Sequence, residues 1–229
     1  MDEKNKFEIK MGKEINLLLN YPKSKRNTKE RGFQKTEEDR IIARKFSKDF
    51  FDGDRKHGYG GFKYNPKFWR PVIPTFIEYW NLNSNSSLLD VGCAKGFMLY
   101  DFQQIIPGIK LNGIDISDYA VKHSIPEVSK LIQVADAKEL PFADNSFDAV
   151  ISINTIHNLP IADCAKALKE ISRVSRKNAF VTVDAYNNEE EKRKMYDWNL
   201  TAKTIMSVNE WKIFFKESGY NGDYFWFIP

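Results

Sequence analysis

The chain has 229 residues, of which 42% are hydrophobic, enough for the core of one large α/β domain with an appendage or of two small domains. It contains two cysteines and three scattered histidines, which argues against a disulfide framework and a cluster of metal ligands. Residues 1–70 hold 19 Lys/Arg against 11 Asp/Glu, a net charge of +8, whereas residues 71–229 carry a net charge of −4. A basic appendage on a mildly acidic body suggests an anionic partner, with a solvated helical face as the simpler alternative.

Neither a membrane span nor a leader is expected from the hydropathy pattern. No stretch approaches eighteen uninterrupted apolar residues. The first fourteen residues are charged from Asp2 onward and lack the apolar segment of a signal peptide. We therefore expect a cytoplasmic protein that makes no contact with a membrane.

Residues 1–85 are predicted to form a helical cap rather than an independent domain, because they lack a regular apolar pattern of their own. Helices are predicted from 36 to about 51 and over 69–80. Between them, four glycines within 53–61 give a segment that can approach a ligand closely and can move. Tyr59 and Tyr64 of this segment are predicted to close over a ligand, and an ordered surface loop is the alternative.

From residue 86 onward, short apolar runs alternate with helical patterns. Strands are predicted over 86–92, 111–116, 131–134, 148–153, 179–183 and 223–228. Helices are predicted over 96–106 and 161–174, after the cap residue Ser117 until about Pro126, and from the capping box of Ser207 and Glu210 to about Gly219. Apolar strands that alternate with helices indicate a doubly wound, mostly parallel α/β sheet.

Aspartates follow or end the first three predicted strands, where an open parallel sheet binds its ligands. Residues 90–96 lie at the centre of any such site, with small side chains and a helix N-terminus that offers free N–H groups. Asp115, nineteen residues after Gly96, is placed to bind the two hydroxyls of a ribose. Asp136 is placed to accept a hydrogen bond from an adenine amino group.

Two ligands fit this layout, a dinucleotide and S-adenosylmethionine, and Asp90 distinguishes them. Its carboxylate lies two residues before Gly92 and would face a pyrophosphate at short range, which is unfavourable. It suits the ammonium and sulfonium groups of S-adenosylmethionine, which carries no phosphate and allows Ala94 where a glycine is usual. A glycine turn that serves only strand–helix packing is the alternative, and the three aspartates in order argue against it.

Residues 88–96, 113–117 and 135–148 together resemble the motifs of class I S-adenosylmethionine-dependent methyltransferases. The resemblance covers about residues 86–185 and implies a Rossmann-like methyltransferase sheet, with 86–229 as the catalytic domain and 1–85 as the cap with its lid segment. It also implies S-adenosylhomocysteine as the product. The cofactor pocket that it implies, with Asn154 under the methionine moiety, consists of Asp90, Gly92, Cys93, Gly96, Asp115, Ile116, Asp136 and Ala137.

The sequence departs from the family at the end of the sheet. The family's sheet usually ends in a reversed hairpin, yet only one strand-like run, 223–228, follows the last predicted helix. The seventh strand is therefore either missing or supplied by another part of the chain.

Methyl transfer is an in-line displacement, to which an enzyme contributes chiefly alignment and desolvation. A base is required only where the acceptor must lose a proton. His157, three residues after Asn154, is the candidate for that catalytic role. The equal alternative is a histidine that packs or hydrogen-bonds at the pocket wall. Asp184, which ends the fifth predicted strand, either orients an acceptor or belongs to a surface loop.

The charge excess favours a small anionic acceptor, such as a phosphorylated, nucleotide-linked or sugar metabolite. Nucleic acid is disfavoured because Lys/Arg alternate with Asp/Glu in the first 70 residues and no RNA-binding motif appears. Residues 154–157 also lack the signature that accompanies methylation of base amino groups in this family. The alternatives are a non-catalytic module that binds S-adenosylmethionine, an RNA or protein methyltransferase that uses the basic N-terminal region, and an NAD-dependent oxidoreductase.

Overall fold

The computed structural model describes residues 12–22 and 35–228. Within these ranges the chain forms seven strands and eight α-helices. The strands are β1 (Ser87–Val91), β2 (Lys110–Asp115), β3 (Ile132–Val134), β4 (Phe147–Ile153), β5 (Ser175–Tyr186), β6 (Met206–Ser207) and β7 (Asp223–Phe227). The helices are α1 (Glu37–Ala43), α2 (Lys48–Phe51), α3 (Ile73–Trp80), α4 (Phe97–Ile105), α5 (Asp118–Lys122), α6 (Ile161–Val174), α7 (Glu189–Trp198) and α8 (Val208–Glu217).

The strands form one parallel sheet in the order β3-β2-β1-β4-β5, and both β6 and β7 pair with β5. The chain runs outward from β1 to β3 and then returns to the other side of β1 for β4. This reversal places the switch point of the sheet between β1 and β4, where parallel α/β sheets bind ligands. The predicted doubly wound, Rossmann-like sheet is confirmed.

The outer edge of the sheet is completed by the N-terminal part of the chain. β7 runs parallel to β5, from Phe180 opposite Asp223 to Asp184 opposite Phe227. On its other side, the N–H of Ile15 donates to the Tyr224 carbonyl at 3.0 Å and the Tyr224 N–H donates to the carbonyl of Lys13 at 3.1 Å. No reversed strand follows α8 in the part of the chain that the structure describes. The edge beyond β7 is therefore supplied by residues 13–15.

Local capping signals predicted the starts of two helices correctly. The Ser117 hydroxyl accepts the Ala120 N–H at 3.1 Å at the start of α5, but the helix ends at Lys122, four residues before the predicted end at Pro126. Ser207 and Glu210 form the predicted capping box of α8. Gly219 follows that helix with φ +70°, a left-handed conformation that glycine adopts without strain. The helix predicted over 161–174 has the observed bounds of α6.

Two predictions for the cap, meaning the described residues before β1, are wrong. The helix predicted from 36 to 51 is broken into α1 and α2, because Phe46 adopts a left-handed conformation at φ +47°. The Phe46 carbonyl accepts a hydrogen bond from the Ser117 hydroxyl beyond β2, so a tertiary contact fixes the break. The helix predicted over 69–80 begins only at Ile73, with Pro74 in its first turn.

A hydrophobic cluster on each face of the sheet forms the core. One contains Val150 and Val181 packed against Trp211 of α8. The other joins Leu88 of β1 to Phe76 of α3 and also includes Leu17, so residues before β1 share a core with the sheet. The domain boundary between residues 85 and 86 stays a prediction.

Among the described residues, no helix combines the length and the apolar character that crossing a bilayer requires. The predicted absence of a leader concerns residues 1–14, of which 1–11 lie outside the described ranges.

We expect Phe76→Ala to lower the free energy of unfolding by about 3–5 kcal/mol, because it leaves a cavity between the cap and the sheet. The Phe76 side chain is fully buried, and its ring centroid lies 5.6 Å from that of Phe180 in β5 and 6.3 Å from that of Phe102 in α4. Urea unfolding followed by tryptophan fluorescence measures this loss and should show one transition. Ile41→Ala, at a side chain that is 54% exposed, is the control and should cost less than about 0.5 kcal/mol. Two separate transitions in either protein would contradict a shared core.

Candidate functional site

The turn between β1 and α4, residues 90–96, lies at the switch point and is tied to the neighbouring strands. The N–H groups of Gly92 and Cys93 both donate to the Ile114 carbonyl, at 2.8 and 3.0 Å. Gly92 has φ +86°, and a Cβ at this position would overlap the Thr155 side chain that follows β4. Gly92 therefore lets the β4 loop pack onto the turn, a role that the sequence analysis did not assign to it.

Ala94 occupies a left-handed conformation with φ +50°, at the position where the family usually has a glycine. For a residue with a Cβ this conformation costs roughly 1–2 kcal/mol. The Ala94 N–H donates to Asp115 Oδ2 at 2.7 Å, which holds the residue in place.

Asp115 connects this turn to the loop after β2. Its Oδ1 accepts the Ser117 N–H at 2.8 Å while its Oδ2 accepts the N–H of Ala94. Burial raises the pKa of Asp115 against these two hydrogen bonds, which favour the carboxylate. Each carboxylate oxygen retains a lone pair for a further donor, so the hydroxyls of a ribose are suitable partners.

Asp90 is a buried carboxyl group without a hydrogen-bond partner among the residues that the structure describes. Its side chain lies in β1 and the residue is 4% exposed. Burial, and secondarily the charge of Asp115, raise the pKa of Asp90 to about 8. A largely buried carboxyl group that accepts no hydrogen bond is a favourable site for an ammonium or sulfonium group, which stabilises its ionised form. The observation fits the predicted cationic ligand.

The buried thiol of Cys93 lies in the same turn. Burial raises the pKa of Cys93 well above its usual value, and the charges of Asp90 and Asp115 raise it further. The thiol is therefore neutral at physiological pH, which makes it a poor nucleophile. The predicted place of Cys93 in a cofactor pocket stays a prediction.

Two aliphatic side chains at the ends of β2 and β3 are exposed, and a carboxylate follows β3 in the chain. Ile116, directly after β2, is 55% exposed, and Val134, the last residue of β3, is 48% exposed. Asp136 accepts the Lys138 N–H at 3.0 Å through Oδ1, and its Oδ2 lies 3.4 Å from Lys138 Nζ. Ala137 is buried next to it. This edge suits a planar base with an amino group, and the adenine assignment stays a prediction.

Asn154 follows β4 in a left-handed conformation with φ +50°. Its Oδ1 accepts the Thr182 hydroxyl at 2.8 Å, and its N–H donates to the Thr182 side chain at 3.0 Å. Thr182 of β5 therefore fixes the residue at the open end of β4. Its predicted contact with a methionine moiety stays a prediction.

His157 is buried and neutral. Its Nδ1 accepts the Asp184 N–H at 2.9 Å, so the proton of the neutral ring is on Nε2, 3.8 Å from Asp184 Oδ2. Burial lowers the pKa of His157, and the nearby Asp184 carboxylate only partly opposes this effect. With Nδ1 accepting and Nε2 protonated, the ring has no vacant nitrogen. The base role stays a prediction, and the geometry favours the alternative of a histidine that hydrogen-bonds at the pocket wall.

The cap is held to the turn by Lys95, whose side chain sequence reasoning did not single out. Lys95 Nζ donates to Asp52 Oδ2 at 2.6 Å and to the Phe62 carbonyl at 3.0 Å, and the Tyr119 hydroxyl donates to the same Asp52 oxygen at 2.7 Å. Burial pushes the pKa of Asp52 upward, but the hydrogen bonds from Lys95, the Phe62 N–H and Tyr119 outweigh it and lower this pKa to about 2. Asp52 is therefore ionised at physiological pH.

The glycine-rich segment packs on α4 through aromatic rings. Tyr59 stacks on Phe62 at 4.1 Å between centroids, and Phe62 stacks on Phe97 at 4.6 Å. The Tyr64 hydroxyl donates to Asp101 Oδ1 of α4 at 2.6 Å. Tyr64 thus anchors the segment, and the predicted contacts of Tyr59 and Tyr64 with a cofactor stay predictions.

A cavity of about 810 Å³ lies between α1 and the chain that follows α7, and we call it the α1 groove. The N–H groups of Lys203 and Thr204 in its wall donate to the His157 carbonyl, both at 2.9 Å, which places the groove beside the loop after β4. Its lining residues are Glu37, Arg40, Arg44, Pro160, Ile161, Tyr196, Asn199, Ala202, Lys203, Thr204, Ile205 and Met206. Sequence reasoning did not find this groove. The spacing of Glu37, Arg40 and Arg44 on one helix face is visible in the sequence, but the opposite wall is not.

Residues 89–183 match the family described as a methyltransferase domain. A tRNA (carboxymethyluridine(34)-5-O)-methyltransferase of Arabidopsis thaliana is 32% identical over 145 residues, which are 62% of this chain and 33% of that protein. A demethylmenaquinone methyltransferase of Symbiobacterium thermophilum is 29% identical over 126 residues, which are 51% of this chain and 49% of that protein. The chain thus spans a third to a half of the length of these curated relatives.

The fold is also found in solved structures. A phosphoethanolamine N-methyltransferase 2 of Haemonchus contortus, in complex with phosphomonomethylethanolamine and S-adenosylhomocysteine, superposes with a TM-score of 0.53. It is 20% identical, and the match covers 69% of this chain and 39% of that one. At this identity the likeness concerns the fold alone.

We expect Ala94→Gly to raise the free energy of unfolding by about 0.5–1 kcal/mol, because glycine adopts the left-handed conformation without strain, although it also gives the unfolded chain more freedom. Urea denaturation measures the change. Ala165→Gly within α6 is the matched control and should cost about 1 kcal/mol, since it makes the same replacement in a right-handed helix. Equal destabilisation by both replacements would show that the turn is not strained at Ala94.

Proposed function

Residues 89–183 form a methyltransferase domain of the class I S-adenosylmethionine-dependent family, and from this premise we propose that the protein transfers a methyl group from S-adenosylmethionine to a small anionic acceptor. The observation that carries the proposal is the buried carboxyl group of Asp90, which has no partner in the described part of the chain and lies at the switch point of the sheet. A bound cation favours the ionised form of this carboxyl group, whereas the pyrophosphate of a dinucleotide would oppose its ionisation.

The chain offers a partner for each part of the cofactor that the domain implies. Asp90 would hold the ammonium group and Asp115 the ribose hydroxyls. Ile116, Asp136 and Ala137 would receive the adenine base at the ends of β2 and β3.

S-adenosylmethionine, when bound, supplies a methyl group activated on a sulfonium. The chain then has to align the acceptor with that methyl group and exclude water. The Lys95–Asp52 ion pair and the stack of Phe62 on Phe97 hold the cap against the turn between β1 and α4, so they support both tasks. Proton removal by His157 applies only to acceptors that must lose a proton, and it requires the Asp184 N–H to leave Nδ1.

The α1 groove supports an anionic acceptor. The groove lies beside the loop after β4, at the same edge of the sheet as the turn between β1 and α4. Its volume is in the range of small-molecule sites. Its lining contains three cationic side chains, those of Arg40, Arg44 and Lys203, and one acid, Glu37. A negative group is therefore favoured there.

A nucleic acid is the second candidate acceptor, because the Arabidopsis thaliana relative is named as a tRNA methyltransferase. The arginine and lysine side chains of the α1 groove could bind a phosphate of a small molecule or of a nucleic acid equally well. A module that binds the cofactor without catalysis is the remaining alternative.

Calorimetric titration with S-adenosylhomocysteine and, separately, with NAD tests the cofactor assignment. Saturable binding of the first alone supports the proposal, whereas binding of NAD alone contradicts it. Transfer of a labelled methyl group from S-adenosylmethionine to pools of anionic metabolites or to total tRNA then identifies the acceptor class. Labelling of tRNA alone would overturn the small acceptor, and binding without transfer to any pool would favour the non-catalytic module.

We expect the affinity for S-adenosylhomocysteine to rise with pH by up to about tenfold per pH unit between pH 6 and 7.5. In the free protein Asp90 has a pKa of about 8 and is mostly protonated below that pH. A bound ammonium favours the carboxylate, so binding releases a proton and becomes easier as the pH rises.

Calorimetry across this pH range measures the slope. Asp90→Asn cannot ionise and should give a flat profile, while Asp136→Asn, the control at the adenine end, should retain the slope of the unmodified protein. A slope that survives Asp90→Asn would assign the proton to another group.

A further inference from the structure

One face of α1 and of the residue that caps its C-terminus carries an acid and two arginines. Glu37, Arg40 and Arg44 are three and four residues apart, so their side chains lie along the same side of the helix. Glu37 Oε1 lies 3.1 Å from one terminal nitrogen of Arg44, and Oε2 lies 3.8 Å from one of Arg40. A single carboxylate thus bridges the two guanidinium groups in the wall of the α1 groove.

The two arginines are held in place but are not saturated. Their side chains are 20% and 26% exposed, and Arg40 Nε donates to the Asn199 carbonyl on the opposite wall at 3.3 Å. Arg44 Nε is buried and has no hydrogen-bond partner among the described residues. A guanidinium group has five N–H donors and the contacts above use only a few of them, so these partly exposed side chains have capacity for a further oxygen ligand.

Glu37 is the movable member of the group. Its side chain is 66% exposed, and exposed ion pairs contribute little to stability, so rotating it into water costs little. Both arginine side chains are less exposed than that of Glu37, and Arg40 is also held by the Asn199 carbonyl. An incoming anion would displace Glu37 rather than the guanidinium groups.

We infer that Arg40 and Arg44 form the seat for a carboxylate or phosphate of the methyl acceptor, and that Glu37 occupies this seat while no acceptor is bound. The inference rests on the proposed function in that it takes the α1 groove as the acceptor site. Guanidinium groups present paired donors that match the oxygens of both kinds of anion. Glu37 acts as an internal competitor that an uncharged molecule does not displace, so the seat selects acceptors that carry an oxyanion.

The test uses inorganic phosphate as the probe, with acetate in parallel, at constant ionic strength. The readout is the set of nitrogen–proton NMR signals of the arginine Nε–H groups, assigned through Arg40→Met and Arg44→Met. We expect the signals of both arginines to shift and saturate with at least one of the two anions. The anion that binds more tightly identifies the class of oxyanion. Saturation by neither anion overturns the inference.

Two variants on the same helix turn distinguish the displacement of the Glu37 carboxylate from a general effect of the protein's net charge. Glu37→Gln removes the competing carboxylate and should lower the dissociation constant of the probe by about threefold or more. Glu38→Gln removes the same charge at an exposed neighbouring position outside the groove lining and should change it by less than about twofold. Equal effects of the two variants would overturn the role of Glu37. Unchanged backbone NMR spectra confirm that both variants fold.

Binding of S-adenosylhomocysteine to the same samples distinguishes the two proposals. If it binds and the arginine signals do not saturate with phosphate or acetate, the seat is wrong and the methyltransferase function stands. If the arginine signals saturate and S-adenosylhomocysteine does not bind, the oxyanion seat stands and the proposed function fails.

Discussion

The arrangement of the site depends on the two hydrogen bonds that the Asp115 carboxylate accepts. Its two oxygens accept one N–H from the turn after β1 and one from the loop after β2, so it fixes Ala94 and Ser117 relative to each other. Ser117 in turn caps α5 and donates to the carbonyl of Phe46 in the cap. The turn after β1, the loop after β2 and the break between α1 and α2 therefore share one buried anchor.

Much of the fold was predictable because its signals are local. A capping side chain, a glycine after a helix or an apolar run of five residues acts within a few positions, as Ser117, Gly219 and β1 illustrate. The order of the aspartates along the strands was predictable for a related reason, because the carboxyl ends of parallel strands meet at one edge. Asp90, Asp115 and Asp136 accordingly lie at successive strand ends.

The parts that sequence reasoning missed depend on partners far along the chain. Phe46 breaks a helix that its own segment favours, because its carbonyl binds a hydroxyl beyond β2. In the sequence Lys95 looks like an ordinary turn residue, and its role is visible only in the folded structure, where it pairs with Asp52 of the cap. The proton position on His157 depends on the backbone N–H of Asp184, which no side-chain pattern reveals. Local patterns specify elements, whereas these contacts arise only when the elements pack.

The pairing of residues 13–15 with Tyr224 has a consequence for the order in which the protein is built. The hydrogen bond from the Lys13 N–H to the Asp223 side chain joins positions separated by 210 residues. During synthesis, this N-terminal segment has no strand to pair with until β7 has left the ribosome. The outer edge of the sheet must therefore form late, and the unpaired edge of β5 remains available to other chains until then.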